Sequence, residues 1–372
     1  MSDYADTVQR VIDEIVAPDA VNVDRSGTFP KPAITALGKA GVLGLTVPES
    51  AGGGGQGLAE AADVVRRLSA ACGSTAMVVL MHYAATAVIV NHGPEDVQKA
   101  IGAGEHLTTL AFSEVGSRSH FWAPQGSATV SGDAVQLNAE KSWVTAAGEA
   151  DSYVWSSKPL ENGGPMTLWL VGSDASGLTV AGDFDGLGLR GNASKPIRAS
   201  GVSVPRAAML GDDGAGLDIA LAEALPWFLV MSAAFSIGLM EAVTDEAGAH
   251  IRGTTLEHLG QTLAEQPLVR TDHARMRITT DQAAAFLGDT LTALGSERED
   301  ATLRVLEVKA AAGEAAISVT DLAMKVCGGA AFRKELGVER RFRDARAARV
   351  MAPTTDALFD FVGRAINGLP LL

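Results

Sequence analysis

The sequence predicts an α+β protein in which helices and strands occupy separate parts of the chain. Alanine-rich stretches with apolar residues at helical spacing lie before residue 107 and return after residue 213. Between them are short β-branched runs separated by Gly, Asn or Asp, which is typical of strands. Helices that are segregated from the strands in this way indicate an α+β architecture and not an alternating βαβ one.

These changes in composition divide the chain into three expected domains. An N-terminal helical domain covers residues 1–106, a central β domain covers 107–212, and a C-terminal helical domain covers 213–372. The length of 372 residues exceeds the roughly 100–200 residues of one typical domain, so more than one packed unit is expected.

The elements follow from local periodicity. An opening helix is predicted from Tyr4 to Val16, and Pro18 is expected to end it. Further helices are predicted over 58–71, 74–90, 217–252, 263–294, 302–326 and 356–366. Strands are predicted over 107–113, 127–131, 135–138, 152–156, 166–171 and 178–180.

Charge and composition argue against several classes of protein. The formal net charge of −14 opposes broad attachment to nucleic acid or to an anionic membrane surface. Acidic residues near the N-terminus argue against a secretory or transit peptide, and the apolar run 75–90 is shorter than a typical membrane span. We therefore expect a cytoplasmic protein with no membrane insertion.

Several familiar motifs are absent or incomplete. Only Cys72 and Cys327 are present, which gives no disulfide framework and no structural zinc site. Glycines at 52, 54 and 57 fit G-x-G-x-x-G, but no βαβ pattern surrounds them, so a turn that leads into a helix is expected. The sequence shows no nucleophile elbow, and His82, on an apolar helix, is expected to be a hydrogen-bonded core residue.

A loop after the first predicted strand and a segment further along carry the clearest functional pattern. The loop reads Phe112-Ser-Glu-Val-Gly-Ser-Arg-Ser-His120, and the segment contains Lys141-Ser-Trp143-Val-Thr145. A flavin ring needs a flat apolar platform with hydrogen-bond donors at its polar edge, which a tryptophan and nearby hydroxyls or amides supply. The arrangement resembles the flavin site of acyl-CoA dehydrogenases, whose pattern is roughly T-E-P-x-x-G-S-D, then N-G-x-K-x-W-I-T.

Other stretches resemble the same family in the same order, so the resemblance covers nearly the whole chain. Residues 24–30 and 44–53 are similar to D-x-x-x-x-F-P and G-L-x-x-P-E-x-x-G-G. Residues 187–194 and 202–205 are similar to the end of the family's β domain. The glycine pair 328–329 and the run 338–346 are similar to its G-G-x-G and V-E-R-x-x-R-D-A-R motifs.

The resemblance implies an acyl-CoA dehydrogenase-like fold, with a central β-barrel and a C-terminal four-helix bundle, and an FAD site. It implies that Trp143 lies against the flavin ring, with Thr145 near N5, Phe112 and Ser113 on the pyrimidine side, and Ser119 at the rim or a phosphate. Arg252 would reach the pyrophosphate of FAD shared with a second subunit, which suits a bidentate guanidinium. The remaining predicted cofactor residues are Lys325, in place of a glutamine, and Gly328, Gly329 and Thr354.

The pattern breaks at the catalytic base. The family's usual glutamate follows the R-D-A-R helix, and Ala352 occupies its place here. Some branches of the family carry the glutamate instead on the first long C-terminal helix. The matching position in this chain is Trp227 or Phe228, depending on where a one-residue shift is introduced in the match. None of these side chains accepts a proton, so the catalytic residue is left unassigned.

Three functions are therefore open. The chain could desaturate an acyl-CoA or a similar acyl thioester with a displaced base, for which Glu223 and Asp356 are the nearest carboxylates in sequence; Asp356 also resembles the cap of the last helix. It could be a flavin-dependent monooxygenase or a desulfinase-like relative. It could also be a non-catalytic subunit of a hetero-oligomer. The family resemblance itself implies a homodimer or homotetramer.

Overall fold

The computed structural model of the chain describes residues 3–117, 120–161 and 163–371. It divides into two compact units. Unit 1 comprises Met1–Val64, Met77–Gly186 and Arg190–Phe228, and unit 2 comprises Val65–Ala76, Leu187–Leu189 and Leu229–Leu372. Each unit is assembled from separated stretches, and the domain boundaries expected from composition stay a prediction.

The N-terminal hundred residues are helical, as the sequence predicts. The helices are α1 (Asp3–Val11), α2 (Ala17–Ser26), α3 (Lys31–Lys39), α4 (Leu58–Ala71), α5 (Gly73–His92) and α6 (Glu95–Gly102), with a π-helical turn at Ile12–Val16 and a 3-10 turn at Glu49–Ala51.

Pro18 does not end the opening helix, so that prediction was wrong. The π turn Ile12–Val16 comes directly before it, and α2 then continues to Ser26 with Pro18 in its first turn. Proline is tolerated there because it lacks only an N–H group that the first helical turn leaves without a partner. The helix ends instead at Gly27, which has a left-handed backbone (φ 66°).

The glycine-rich run packs as a tight turn, as expected. A Cβ atom added to Gly53 would lie 2.2 Å from the carbonyl oxygen of Val47, so the close approach requires glycine. Helix α4 then begins at Leu58. The run therefore packs against its own chain and leads into a helix.

The middle of the chain forms two four-stranded sheets. The strands are β1 (Thr108–Ala111), β2 (Ser127–Ser131), β3 (Ala134–Val144), β4 (Ser152–Ser157), β5 (Thr167–Gly172), β6 (Leu178–Val180), β7 (Lys195–Pro205) and β8 (Met209–Leu210). The sheet orders are β1-β4-β5-β8 and β2-β3-β7-β6. All pairs are antiparallel except β1 with β4.

The sequence pattern missed β7, the long partner of β3. Pro196 and Gly201 lie inside it, and both residues normally weaken a strand prediction. Gly201 has a positive φ of 63°, and its amide donates to the Asn138 side chain at 2.8 Å. The register with β3 shifts between Leu137 and Ala139, which accommodates this irregularity.

The C-terminal part is helical, as predicted. Its helices are α7 (Gly216–Ile219), α8 (Leu225–Gly253), α9 (Pro267–Gly295), α10 (Ala301–Cys327), α11 (Val338–Ala345), α12 (Ala347–Val350) and α13 (Thr355–Ile366), with a π turn at Ala220–Ala224 and a short hairpin of β9 (Thr255–Leu256) and β10 (Gln261–Thr262). Helix α9 begins later than predicted, because Thr262 and Glu265 form a capping box around a 3-10 turn first.

The charged run 338–346 holds unit 2 together. Asp344 accepts a hydrogen bond from the amide of Leu189 at 2.6 Å. Arg341 pairs with Glu246 at 2.6 Å and donates to the carbonyl of Ala70 at 2.9 Å. The motif therefore fastens two short stretches of unit 2 to its helices.

His82 is a core residue, as expected. Its Nε2 lies 2.9 Å from the carbonyl oxygen of Leu43, and its Nδ1 accepts from the amide of Thr108 at 3.1 Å. These contacts fix the tautomer with the proton on Nε2. Burial lowers the pKa of His82 to about 4.

Two helical stretches, Gly73–His92 and Gly216–Gly253, are long and apolar enough to cross a membrane by length and composition alone. Within the fold, 89% of the most apolar 18-residue stretch of the first helix is buried, and 67% of that of the second. Core helices of globular proteins pass the same test, so the observation is weak evidence for a membrane span.

Candidate active site

A β-bulge presents Trp143 at the end of β3. Lys141 pairs with Ile197 and Val144 with Lys195, so two residues of β3 face one residue of β7. Such a bulge re-aims a side chain. Trp143 has a left-handed backbone (φ 58°) and is 70% exposed. Its ring lies edge-on to that of Phe184, with 6.3 Å between the centroids.

The loop that begins at Phe112 runs beside this bulge. The amide of Ser142 donates to the carbonyl of Ser113 at 2.9 Å, and the amide of Val115 donates to Glu140 at 3.0 Å. Phe112 stacks on Phe121 with 6.4 Å between ring centroids. The structure therefore brings Phe112 and Ser113 beside the strand that carries Trp143, as the family pattern implies.

Thr145 lies just beyond the bulge and is buried. Its hydroxyl lies 3.2 Å from that of Ser194, and the next residue, Ala146, donates its amide to the carbonyl of Asn192 at 2.9 Å. These contacts fix the backbone around Thr145. We call Phe112, Ser113, Trp143 and Thr145 the flavin wall; Ser119, also predicted to join it, lies outside the described residues.

A buried ion pair lies behind the flavin wall. The Lys141 ammonium donates to Glu114 at 2.6 Å and to the Ser156 carbonyl and hydroxyl at 2.7 and 2.8 Å. The Glu114 carboxylate also accepts from the amides of Gln125 and Gly126 at 2.6 and 2.8 Å. Burial lowers the pKa of Lys141 to about 8, although Glu114 opposes that shift. The pair ties both ends of the loop 114–126 to β3.

The other predicted cofactor residues lie in unit 2. Arg252 is exposed at the end of α8. Its guanidinium and Nε2 of His273 both lie against Gly248, at 3.0 and 2.9 Å from the position that a Cβ atom would take there. Lys325 pairs with Asp272 at 2.6 Å, and this contact is the main cause that lowers the pKa of Asp272. The ammonium of Lys325 is therefore engaged with Asp272 within the chain.

Gly328, Gly329 and Thr354 have clear local roles. Gly328 ends α10 with a φ of 54°, and Gly329 follows in a 3-10 turn. Thr354 caps α13, because its hydroxyl accepts from the amide of Ala357 at 3.3 Å. The expectation that Asp356 caps this helix was wrong: it lies in the first turn, where a carboxylate favours the positive end of the helix dipole.

Glu223 and His92 form a contact that sequence reasoning missed. The Nε2 of His92 lies 2.7 Å from Oε1 of Glu223. The other oxygen, Oε2, is shielded from solvent and has no hydrogen-bond partner among the residues that the structure describes. Glu223 lies in the π turn Ala220–Ala224, and such turns are often found at functional sites.

Lys141 and Lys309 are two further residues that the sequence could have flagged. Lys141 continues the inward alternation of Val135 and Leu137 along β3, and Lys309 lies among the apolar positions of α10. A charged side chain that is in phase with an apolar face is a recognisable signal of a buried, bonded cation.

Sequence models of three domains match the chain. The N-terminal, middle and C-terminal domains of acyl-CoA dehydrogenases match residues 2–102, 109–202 and 214–367. The helix–sheet–helix order of the fold agrees with these three models. The chain belongs to the acyl-CoA dehydrogenase family.

Similar proteins have the same kind of activity in their names. A probable acyl-CoA dehydrogenase of Bacillus subtilis is 27% identical over 92% of this chain and 91% of its own length. The human mitochondrial short-chain specific acyl-CoA dehydrogenase is 26% identical over 91% of this chain and 83% of its own length. The structure of butyryl-CoA dehydrogenase from Megasphaera elsdenii, 21% identical, superimposes with a TM-score of 0.91 and covers 99% of this chain and 98% of its own.

Members of this family are FAD-dependent oxidoreductases, and this chain is a flavoenzyme of that type. The flavin wall fits the cofactor, because it offers an exposed aromatic face beside a backbone held by hydrogen bonds. Homo-oligomers are typical of the family.

Proposed function

We propose that this chain oxidises an acyl-CoA, or a similar acyl thioester, to the α,β-unsaturated thioester. The flavin wall carries the proposal, because it is the part of the chain that combines family motifs with the geometry a flavin needs. The similar proteins named above also act on acyl-CoA thioesters by name.

The reaction removes a proton from the α-carbon and a hydride from the β-carbon, and a double bond forms between them. When bound, FAD supplies the acceptor for the hydride. Trp143 would support one face of the flavin ring, and the backbone around Thr145 would face its N5 edge. Phe112 and Ser113 would contact the pyrimidine side.

In unit 2, Arg252 remains the group best suited to a pyrophosphate, since its exposed guanidinium can pair with phosphate oxygens bidentately. Lys325 would add positive charge near the pyrophosphate. It would do so with the N–H groups that its ion pair with Asp272 does not use. Gly328, Gly329 and Thr354 would supply backbone close to the cofactor.

Glu223 is the better of the two carboxylates as the displaced base. Asp356 is exposed in the first turn of α13, whereas Glu223 has one oxygen held by His92 and one oxygen that is buried without a partner. That second oxygen has no hydrogen-bond partner in the part of the chain that the structure describes, so it is available as an acceptor.

Anaerobic titration of the purified yellow protein with acyl-CoAs of several chain lengths tests the function. Bleaching of the flavin absorbance, with formation of the enoyl-CoA, supports desaturation. Oxygen consumption only when reduced flavin is supplied would favour a monooxygenase instead. Absence of bound FAD, with activity that arises only on mixing with a partner chain, would favour a non-catalytic subunit.

A further inference from the structure

Lys309 is a buried cation that binds one short segment of backbone. It lies on α10 and is 2% exposed. Its ammonium donates to the carbonyl oxygens of Ala348, Met351 and Pro353 at 3.3, 3.0 and 2.8 Å. These three oxygens, which we call the carbonyl cradle, belong to α12 and to the link that joins it to α13.

The chemistry of the contact suits a protonated lysine. An ammonium has three N–H donors, which match the three oxygens of the carbonyl cradle, whereas a neutral amine has two. Burial lowers the pKa of Lys309 to about 7, so its charge changes in the physiological range. Both protonation states are therefore accessible without acid or strong alkali.

Two arginines, one in α12 and one at the residue before it, pair with carboxylates of α10. Arg349 of α12 pairs with Glu314, and Asp356 of α13 also faces Arg349. Arg346 pairs with Asp321 at 2.6 Å. Lys309 itself donates to the three backbone oxygens.

The carbonyl cradle surrounds a position of functional interest. Ala352 lies between the two anchored carbonyls of Met351 and Pro353, and the family carries its usual glutamate at this place in the sequence. We propose that Lys309 is a positioning residue: its ammonium fixes the backbone of residues 351–353 and so sets the surface that this segment offers to the acyl substrate. The inference rests on the proposed function.

The first test compares four holoenzymes in anaerobic stopped-flow reduction by an acyl-CoA from pH 6 to 9. The variants are Lys309→Met, Lys309→Arg and, as a matched surface control, Lys334→Met. The wild-type rate should lose several-fold above about pH 7, as the third donor is lost. Lys309→Met loses all three hydrogen bonds, so at pH 6 it should be slower than the wild type by about tenfold or more, and it should lack this alkaline fall.

Lys309→Arg should also lack the alkaline fall, because a guanidinium stays charged, and it should keep a rate nearer to the wild type. Lys334→Met should behave as the wild type, since Lys334 is exposed. A structural role alone would lower the thermal midpoint of Lys309→Met but leave the shape of its pH profile unchanged, and that result would overturn the inference.

The second test uses wild-type protein and so does not depend on the folding of a variant. Hydrogen exchange at the amides of residues 349–352, corrected for the intrinsic effect of pH, should lose about threefold to tenfold in protection above pH 7. Amides in the middle of α13 should keep theirs. Constant protection in residues 349–352 would refute the role of Lys309. If no acyl-CoA bleaches the wild type, the proposed function fails, and hydrogen exchange alone decides the role of Lys309.

Discussion

At the scale of single residues, three side chains depart from what their surroundings normally favour. Trp143 is an exposed aromatic residue with a left-handed backbone. Glu223 keeps a buried carboxylate oxygen that has no hydrogen-bond partner among the described residues, and His82 is a fully buried imidazole. The role of each side chain can be tested separately.

Replacing Trp143 should weaken flavin binding and leave the fold intact. In Trp143→Ala the platform for the ring is lost, whereas the exposed side chain contributes little to stability, within about 0.5 kcal/mol for a typical surface site. The ratio of flavin to protein absorbance after gel filtration, together with the melting temperature of the apoprotein, measures both effects. Phe332→Ala is the control, because Phe332 is also a highly exposed aromatic residue. Equal flavin content in all three proteins would remove Trp143 from the site.

Replacing Glu223 tests the displaced base. Glu223→Gln keeps the shape and the contact with His92 but cannot accept the α-proton, so flavin reduction by an acyl-CoA should slow by about 100-fold or more. Asp356→Asn is the matched control and should retain the wild-type rate, because Asp356 is exposed. The reverse ranking of the two variants would assign the base to Asp356.

His82 should make the protein sensitive to acid. Its pKa is lowered to about 4 in the folded state, against 6.5 ordinarily, so the unfolded chain binds more protons between these values. Stability therefore falls as the pH drops from 6.5 to 4, by about 3 kcal/mol in total. Denaturant unfolding should show this loss in the wild type and a smaller one in His82→Gln, which stays neutral. Parallel pH curves for the two proteins would contradict the assignment.

At the scale of elements, irregular backbone positions the candidate site. The bulge in β3 exposes Trp143, and the π turn Ala220–Ala224 carries Glu223. The segregation of helices and strands could be predicted from periodicity, but neither irregularity could. A bulge or a π turn adds one residue and leaves the apolar pattern on either side unchanged. In the sequence it is therefore visible only as a shift of that pattern by one position.

The ion pair behind the flavin wall should hold the loop 114–126 in place. Lys141→Met leaves the buried Glu114 carboxylate without its cation, which should cost about 3–5 kcal/mol in the free energy of unfolding. The double variant Glu114→Gln with Lys141→Met removes both charges and should recover part of that loss. Lys99→Met, which breaks an exposed pair with Glu95, should cost less than about 1 kcal/mol. Equal losses for Lys141→Met and Lys99→Met would show that burial adds nothing to the pair.

At the scale of the whole molecule, the ordered motifs predicted the family but not the base. The motifs between Asp24 and Arg346 could be recognised because each is a short continuous stretch of sequence, and they follow one another in the order typical of the family. The contact of His92 with Glu223 and the carbonyl cradle of Lys309 join residues 131 and 39 to 44 positions apart. Local periodicity contains no information on such contacts, so only the folded chain shows them.

The chain alone should assemble into a homo-oligomer with one FAD per chain. Phe359 and Ile366 lie seven residues apart on one face of α13, and both are exposed large apolar residues. Apolar contact can outweigh the repulsion between chains that each carry a charge of −14. Native mass spectrometry of the wild type should give a multiple of the chain mass. Replacing both Phe359 and Ile366 by serine should lower the mass of the assembly. The control Val130→Ser, at another exposed apolar residue, should leave that mass unchanged. A flavin-free monomer that gains mass and activity only with a different chain would instead identify a subunit of a mixed assembly.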